Sequence, residues 1–135
     1  MNALLDTNVC IAIMNGFPHQ VREKFESAKR VGLEAAISTI SIFEMQYGIA
    51  KSARIEANAA RLVDFLGPLT VLPFDSDDAR IGGNIRFALE RQGLPIGPYD
   101  YLIAAQALRH DLLLVTANVR EFSRVDGLRW GNWSE

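Results

Sequence analysis

The chain is poor in five things, and each shortage narrows what it can be. It holds a single cysteine, Cys10, in 135 residues. No internal disulfide is possible, and a lone thiol in an apolar stretch is expected to be a small buried hydrophobe in a reducing cytoplasm. No apolar run approaches the roughly 20 residues that cross a bilayer, so no membrane span is expected. The amino terminus reaches Asp6 with no basic segment before it, and no secretory signal is expected. Lysine is scarce: Lys24, Lys29 and Lys51 are the only three among 14 basic residues, the rest being Arg, against 16 acids and a net charge of −2. That balance argues against a generally basic nucleic-acid coat, although Arg is the better fork for phosphate oxygens where contacts are local. Histidine is limited to His19 and His110, and neither has a reacting group in view that would make it a general base.

What remains is a composition of 49% hydrophobic and 22% charged residues, which belongs to folded proteins. The length suits one continuous core, so residues 1–135 are read as a single domain. Apolar runs at 2–6, 34–39, 69–74 and 112–116 predict strands, with an edge strand around 128–130. Between them, helices are expected at 8–15, 19–30, 41–51, 54–66, 77–92 and from Pro98 to about His110. Gly16, Gly67-Pro68 and Gly93 punctuate their ends. Strands alternating with helices predict an α/β fold: a parallel sheet of four to five strands with helices on both faces.

Three acids stand out in that frame. Asp6 ends the first strand, Glu44 opens the helix after the second, and Asp100 follows the turn Gly97-Pro98-Tyr99. Ligands of open α/β sheets bind at the carboxyl ends of the strands, so this topology brings the three acids toward one crevice. Carboxylates about 4 Å apart repel by roughly 4 kcal/mol per pair at an effective dielectric near 20. Such a group needs protons or a hard, oxygen-liganded cation such as Mg²⁺ or Mn²⁺. Each acid also has an ordinary reading. Asp6 suits a helix N-cap, Glu44 completes a capping box with Ser41, and Asp100 favours the dipole of its helix.

The motifs carrying these acids resemble those of PIN-domain ribonucleases. The segments are Leu4-Leu5-Asp6-Thr7-Asn8, Ser41-Ile42-Phe43-Glu44-Met45-Gln46-Tyr47-Gly48, Gly93 to Asp100 with Ile103-Ala104-Ala105, and Val115-Thr116-Ala117-Asn118 with Arg120-Glu121-Phe122. The resemblance runs from residue 3 to about 133 and is to the VapC group, the toxins of type II toxin–antitoxin pairs. It implies a three-layer PIN-like fold and a Mg²⁺- or Mn²⁺-dependent endoribonuclease whose catalytic, metal-binding acids are Asp6, Glu44 and Asp100. It further implies that Thr7 and Asn8 orient the first carboxylate and that Thr116 places a hydroxyl at the site. Many PIN domains carry a fourth acid where this chain has Asn118. An amide ligates only weakly, and Glu121, one turn on, is either a compensating acid or a solvated surface charge.

Arg86, Arg120 and Arg124 are the candidate RNA contacts, with a structural ion pair as the alternative for Arg86. The implied substrate is a structured RNA of the translation machinery, tRNA first and initiator tRNA within it, with ribosomal or messenger RNA as alternatives. The implied partners are a VapB-like antitoxin and a second copy of the chain, forming a cytoplasmic hetero-oligomer. The antitoxin groove is expected between helices 19–30 and 41–51, and the dimer contact on the apolar face of 54–66. The reading from a different class is a non-catalytic partner that binds antitoxin or RNA without cleaving, and Asn118 is its only support.

Overall fold

Neighbouring residues of the central strands enter different cores. Leu4, Ala36 and Leu114 pack on one side of the sheet with Leu89, Tyr101, Ile103 and Phe122. Ala3, Leu5, Ala35, Ile37 and Val115 pack on the other with Val9, Cys10, Phe25, Met45 and Leu62. This is the period-two alternation of a strand whose two faces are both covered, and it produces three layers. Fully burying a side chain such as Leu4 or Leu5 stabilises the fold by about 1.5–3 kcal/mol.

The computed structural model describes all of residues 1–135. In chain order the elements are β1 (Ala3–Leu5), α1 (Thr7–Asn15), α2 (His19–Arg30), β2 (Ala35–Ser38), α3 (Thr39–Ala50), α4 (Ile55–Leu66), β3 (Thr70–Leu72), α5 (Ser76–Arg91), α6 (Pro98–Arg109), β4 (Leu113–Val115), α7 (Val119–Phe122) and β5 (Trp130–Gly131). The strands form one sheet in the order β3-β2-β1-β4-β5, and every pairing is parallel. The chain moves outward from β1 through β2 to β3, then crosses to the other side of β1 for β4 and β5. The β1/β4 boundary is therefore a topological switch point, where α/β sheets open a crevice. No helix is long and apolar enough to cross a membrane.

The sheet is that expected from the sequence, in shorter strands. β3 keeps three of the six residues read as strand, and β5 lies at 130–131 rather than 128–130. Two helix starts also differ. α3 is capped by Ser38, whose hydroxyl accepts from the Ile40 N–H, and not by Ser41. α5 starts at Ser76 rather than at 77 and is capped by Asp75, in a reciprocal box with Asp78. In both cases the cap lies upstream of the residue chosen from the pattern, because the chain turns helical sooner after the strand.

Candidate active site

Asp6 lies at the end of β1 and caps α1, its Oδ1 accepting from the Thr7 N–H at 2.9 Å. Its other oxygen accepts from the Thr116 hydroxyl at 2.8 Å. Thr116 is fully buried just beyond β4, and its backbone N–H is held at 2.9 Å by Gly131 O in β5. Two parallel strands thus fix the first carboxylate. Burial pushes the Asp6 carboxyl up, and these two hydrogen bonds oppose the shift.

Glu44 projects from the second turn of α3. Its Oε1 lies 2.8 Å from the hydroxyl of Thr7. The Glu44 side chain therefore does not close a capping box with Ser41. Thr7 holds both acids, Asp6 through its backbone and Glu44 through its side chain. Asn8, expected to help orient Asp6, is exposed and lines a separate surface hollow with Phe17 and Trp133.

Asp100 enters from the first turn of α6. A Cβ added at Gly97 would lie 3.0 Å from its Oδ2, so the glycine before Pro98 leaves room for the carboxylate. The Asn118 side-chain amide donates to Asp100 Oδ2 at 3.2 Å and also to Glu121. Glu121 in turn accepts from the Gly97 N–H at 3.1 Å. Asn118 is thus a bridge that ties a fourth acid to the third. Glu121 was legible only as one of two readings, since an acid one turn into a helix has no signature of its own.

The electrostatics follow from this crowding. Asp100 is pushed up to about 7 from its usual 3.8, first by burial, then by the charges of Asp6 and Glu121, its contact with Glu121 and the charge of Glu44. No Lys or Arg forms an ion pair with any of these four acids. No three of them stand close enough to form a ready-made metal cage. The donor set nevertheless fits a hard divalent cation in kind: hard carboxylate oxygens, one neutral amide and excess negative charge with nothing to balance it.

The three candidate arginines do not enter this centre. Arg86 is exposed and takes the structural ion pair named as its alternative: it pairs with Glu90 on its own helix at 3.1 Å and stacks over the Tyr101 ring at 5.8 Å. The i,i+4 partner captures it before it reaches the acids. Arg124 donates to Pro95 O at 2.9 Å, pinning the loop that precedes Asp100. Arg120 is exposed at the rim, where Asn118, Arg120, Glu121 and Arg124 line an open hollow of about 410 Å³. A phosphate there would lie beside the acids.

A second concavity, of about 280 Å³, runs from Glu44 between α1, α3 and α4, lined by Ile11, Met14, Met45, Ile49 and Leu62. It replaces the groove expected between helices 19–30 and 41–51. α2 packs its Val21 and Phe25 into the core beside α1 instead.

The profile of the PIN domain matches residues 3–128. The tRNA(fMet)-specific endonuclease VapC of Shigella flexneri is 41% identical over 131 residues, which are 97% of each chain. Ribonuclease VapC2 of Rickettsia felis is 36% identical over 98% of each. Among solved structures, VapBC2 from Rickettsia felis bound to a DNA fragment from its promoter contains a chain that superposes with a TM-score of 0.90. That chain is 35% identical, and the match covers 98% of this chain and 99% of that one.

Proposed function

The chain belongs to the PIN-domain family, and from that premise we propose that it is a VapC-type toxin, a metal-dependent endoribonuclease acting as one unit over residues 1–135. The observation that carries the reading is the meeting of Asp6, Glu44, Asp100 and Glu121 in one crevice with no basic partner. Asp6, Glu44 and Asp100 would hold Mg²⁺ or Mn²⁺, with Asn118 as a weaker oxygen donor. A bound divalent ion would supply Lewis acidity toward a phosphodiester and lower the pKa of a water.

The protein's own residues do the rest. Thr116 and the Thr7 N–H fix both oxygens of Asp6, so that carboxylate meets substrate with its orientation already set. Thr7 directs Glu44, and Asn118 keeps Asp100 and Glu121 together against their repulsion. Asp100, pushed up by burial and by the neighbouring acids, is the carboxylate that a bound cation would relieve most. Arg120 at the rim supplies the nearest free fork for a backbone phosphate, with Arg124 beside it.

The Shigella flexneri relative is named for initiator tRNA, and tRNA of that kind is the substrate we assign to this chain. The solved relative is a complex with its VapB partner, and the corresponding partner here is a VapB-like antitoxin. Its seat is the apolar concavity ending at Glu44, where an inserted segment would cover the acids. Exposed Ile55 and Val63 on α4 are the surface assigned to a second copy of the toxin. The assembly is expected in the cytoplasm.

Purified, antitoxin-free protein incubated with total tRNA in Mg²⁺ or in EDTA, beside Asp6→Asn, tests the reading. Discrete fragments that require both the metal and Asp6 are expected. Intact tRNA and intact ribosomal RNA in every lane would overturn it.

A further inference from the structure

Of the three acids assigned to the metal, Glu44 has the longest side chain, and like Asp100 it accepts a single hydrogen bond. Its one hydrogen bond is to the Thr7 hydroxyl, whereas Asp6 is held at both oxygens. Thr7 Oγ1 has a second neighbour, Ser41 Oγ, also at 2.8 Å. Ser41 is fully buried and Thr7 nearly so. A hydroxyl carries one proton and two lone pairs, and an ionised carboxylate only accepts. The Thr7 proton therefore goes to Glu44, and the Ser41 proton goes to Thr7. The direction of the chain is set: Ser41 to Thr7 to Glu44.

A serine inside a helix ordinarily turns its hydroxyl back to the carbonyl four residues earlier. Ser41 instead reaches across to the first residue of α1, on the same face of α3 as Glu44 one turn later. Ser38 has already taken the cap, so Ser41 is not needed to start the helix. We propose that Ser41 is a positioning residue for Glu44, acting through the hydroxyl of Thr7. The inference rests on reading Glu44 as a site acid. Without Ser41, the Thr7 hydroxyl loses the donor that fixes its rotation, and the single anchor of Glu44 is no longer held in one direction.

The test is a double-mutant cycle read in two ways. Thr7→Val removes the hydroxyl at nearly constant shape, and Thr7→Ser keeps it. Each is combined with Ser41→Ala and checked for folding by thermal melting. Mn²⁺ affinity is measured by calorimetry without RNA, and kcat and KM are measured on tRNA in saturating metal. Ser41→Ala is expected to weaken Mn²⁺ binding and lower kcat about tenfold, the lower end for residues that orient a ligand, with KM for RNA unchanged. The same loss is expected in the Thr7→Ser background and none in Thr7→Val, because neighbours acting in series are not additive.

An equal loss in both backgrounds, or no loss in the wild type, would overturn the proposal. A wild type that binds Mn²⁺, passes the cycle by calorimetry and cleaves no RNA would overturn the nuclease reading alone. Failure of wild-type Mn²⁺ binding and cleavage together would overturn both.

Discussion

Two clusters of acids sit on this fold, and their difference separates chemistry from architecture. At the start of α5, Asp75, Asp77 and Asp78 surround Arg109 from the end of α6. Asp78 is completely buried, yet its carboxylate receives Arg109 at 3.1 Å, Gln106 Nε2 at 3.3 Å and the Asp75 N–H at 2.9 Å. The Arg109 contact pulls Asp75 down to about 2. In the crevice the same kind of group behaves in the opposite way, and Asp100 is pushed up to about 7 by burial and then by neighbouring acids. One cluster is balanced by a guanidinium and closes a helix junction. The other has no guanidinium, which disfavours its ionised form and leaves the excess charge that the proposed cation would balance.

The sharpest way to break that contrast is at Asp6 and Asp100. Asp6→Asn or Asp100→Asn is expected to lower RNA cleavage on the order of a thousandfold, about 4 kcal/mol of transition-state stabilisation, with melting temperature held or raised. A variant that loses cleavage only because it melts would place these acids with the architecture instead. Arg109→Ala should do the reverse. Removing the partner of buried Asp78 is expected to lower the midpoint of urea unfolding, while turnover per folded molecule stays near wild type.

Metal sharpens the comparison further. Saturating Mg²⁺ at a hundred times its Kd should stabilise the wild type by about 2.7 kcal/mol. The gain should vanish in Asp100→Asn and persist in Arg109→Ala. The two clusters also separate by pH. Asp75 has a folded pKa below its unfolded value, so its contribution is full above about pH 4 and is lost as pH falls toward 2. Asp100 is raised, so its contribution is present below about pH 4 and is lost as pH rises through 7. Melting curves without metal should therefore show Asp100→Asn gaining on the wild type between pH 4 and 7. The smallest effect is expected at Gly97→Ala. Its new Cβ would press on Asp100 Oδ2 at 3.0 Å, and a severalfold fall in metal-dependent cleavage with little change in melting would fit the account.

Much of this site was legible before any coordinates because strand ends are legible. Asp6 follows a buried run, Asp100 follows Gly97-Pro98, and Thr116 ends the most apolar strand. Parallel topology then carries all three to one edge. The rest was hidden by coincidence of pattern. Ser41 and Glu44 have capping-box spacing, yet Ser38 takes the cap and frees Ser41 to reach Thr7. Asn8 stands next to Thr7 in the chain but turns outward, because successive residues in the first turn of a helix point about 100° apart. Arg86 had two readings, an RNA contact by resemblance and a structural ion pair, and its own helix offers Glu90 at i+4 for the second. Asn118 and Glu121 pair locally, three residues apart, but Glu121 is tied to the loop before α6 by the Gly97 N–H. Sequence spacing holds no record of that long-range contact. The Asp78–Arg109 junction was missed for the same reason, since its partners lie in different helices.

The most direct test of the central claim is a calorimetric titration of Mn²⁺ into the wild type, Asp6→Asn and Arg109→Ala. The account predicts binding that is lost in Asp6→Asn and kept in Arg109→Ala. Binding that survives in Asp6→Asn, or no binding by the folded wild type, would contradict it.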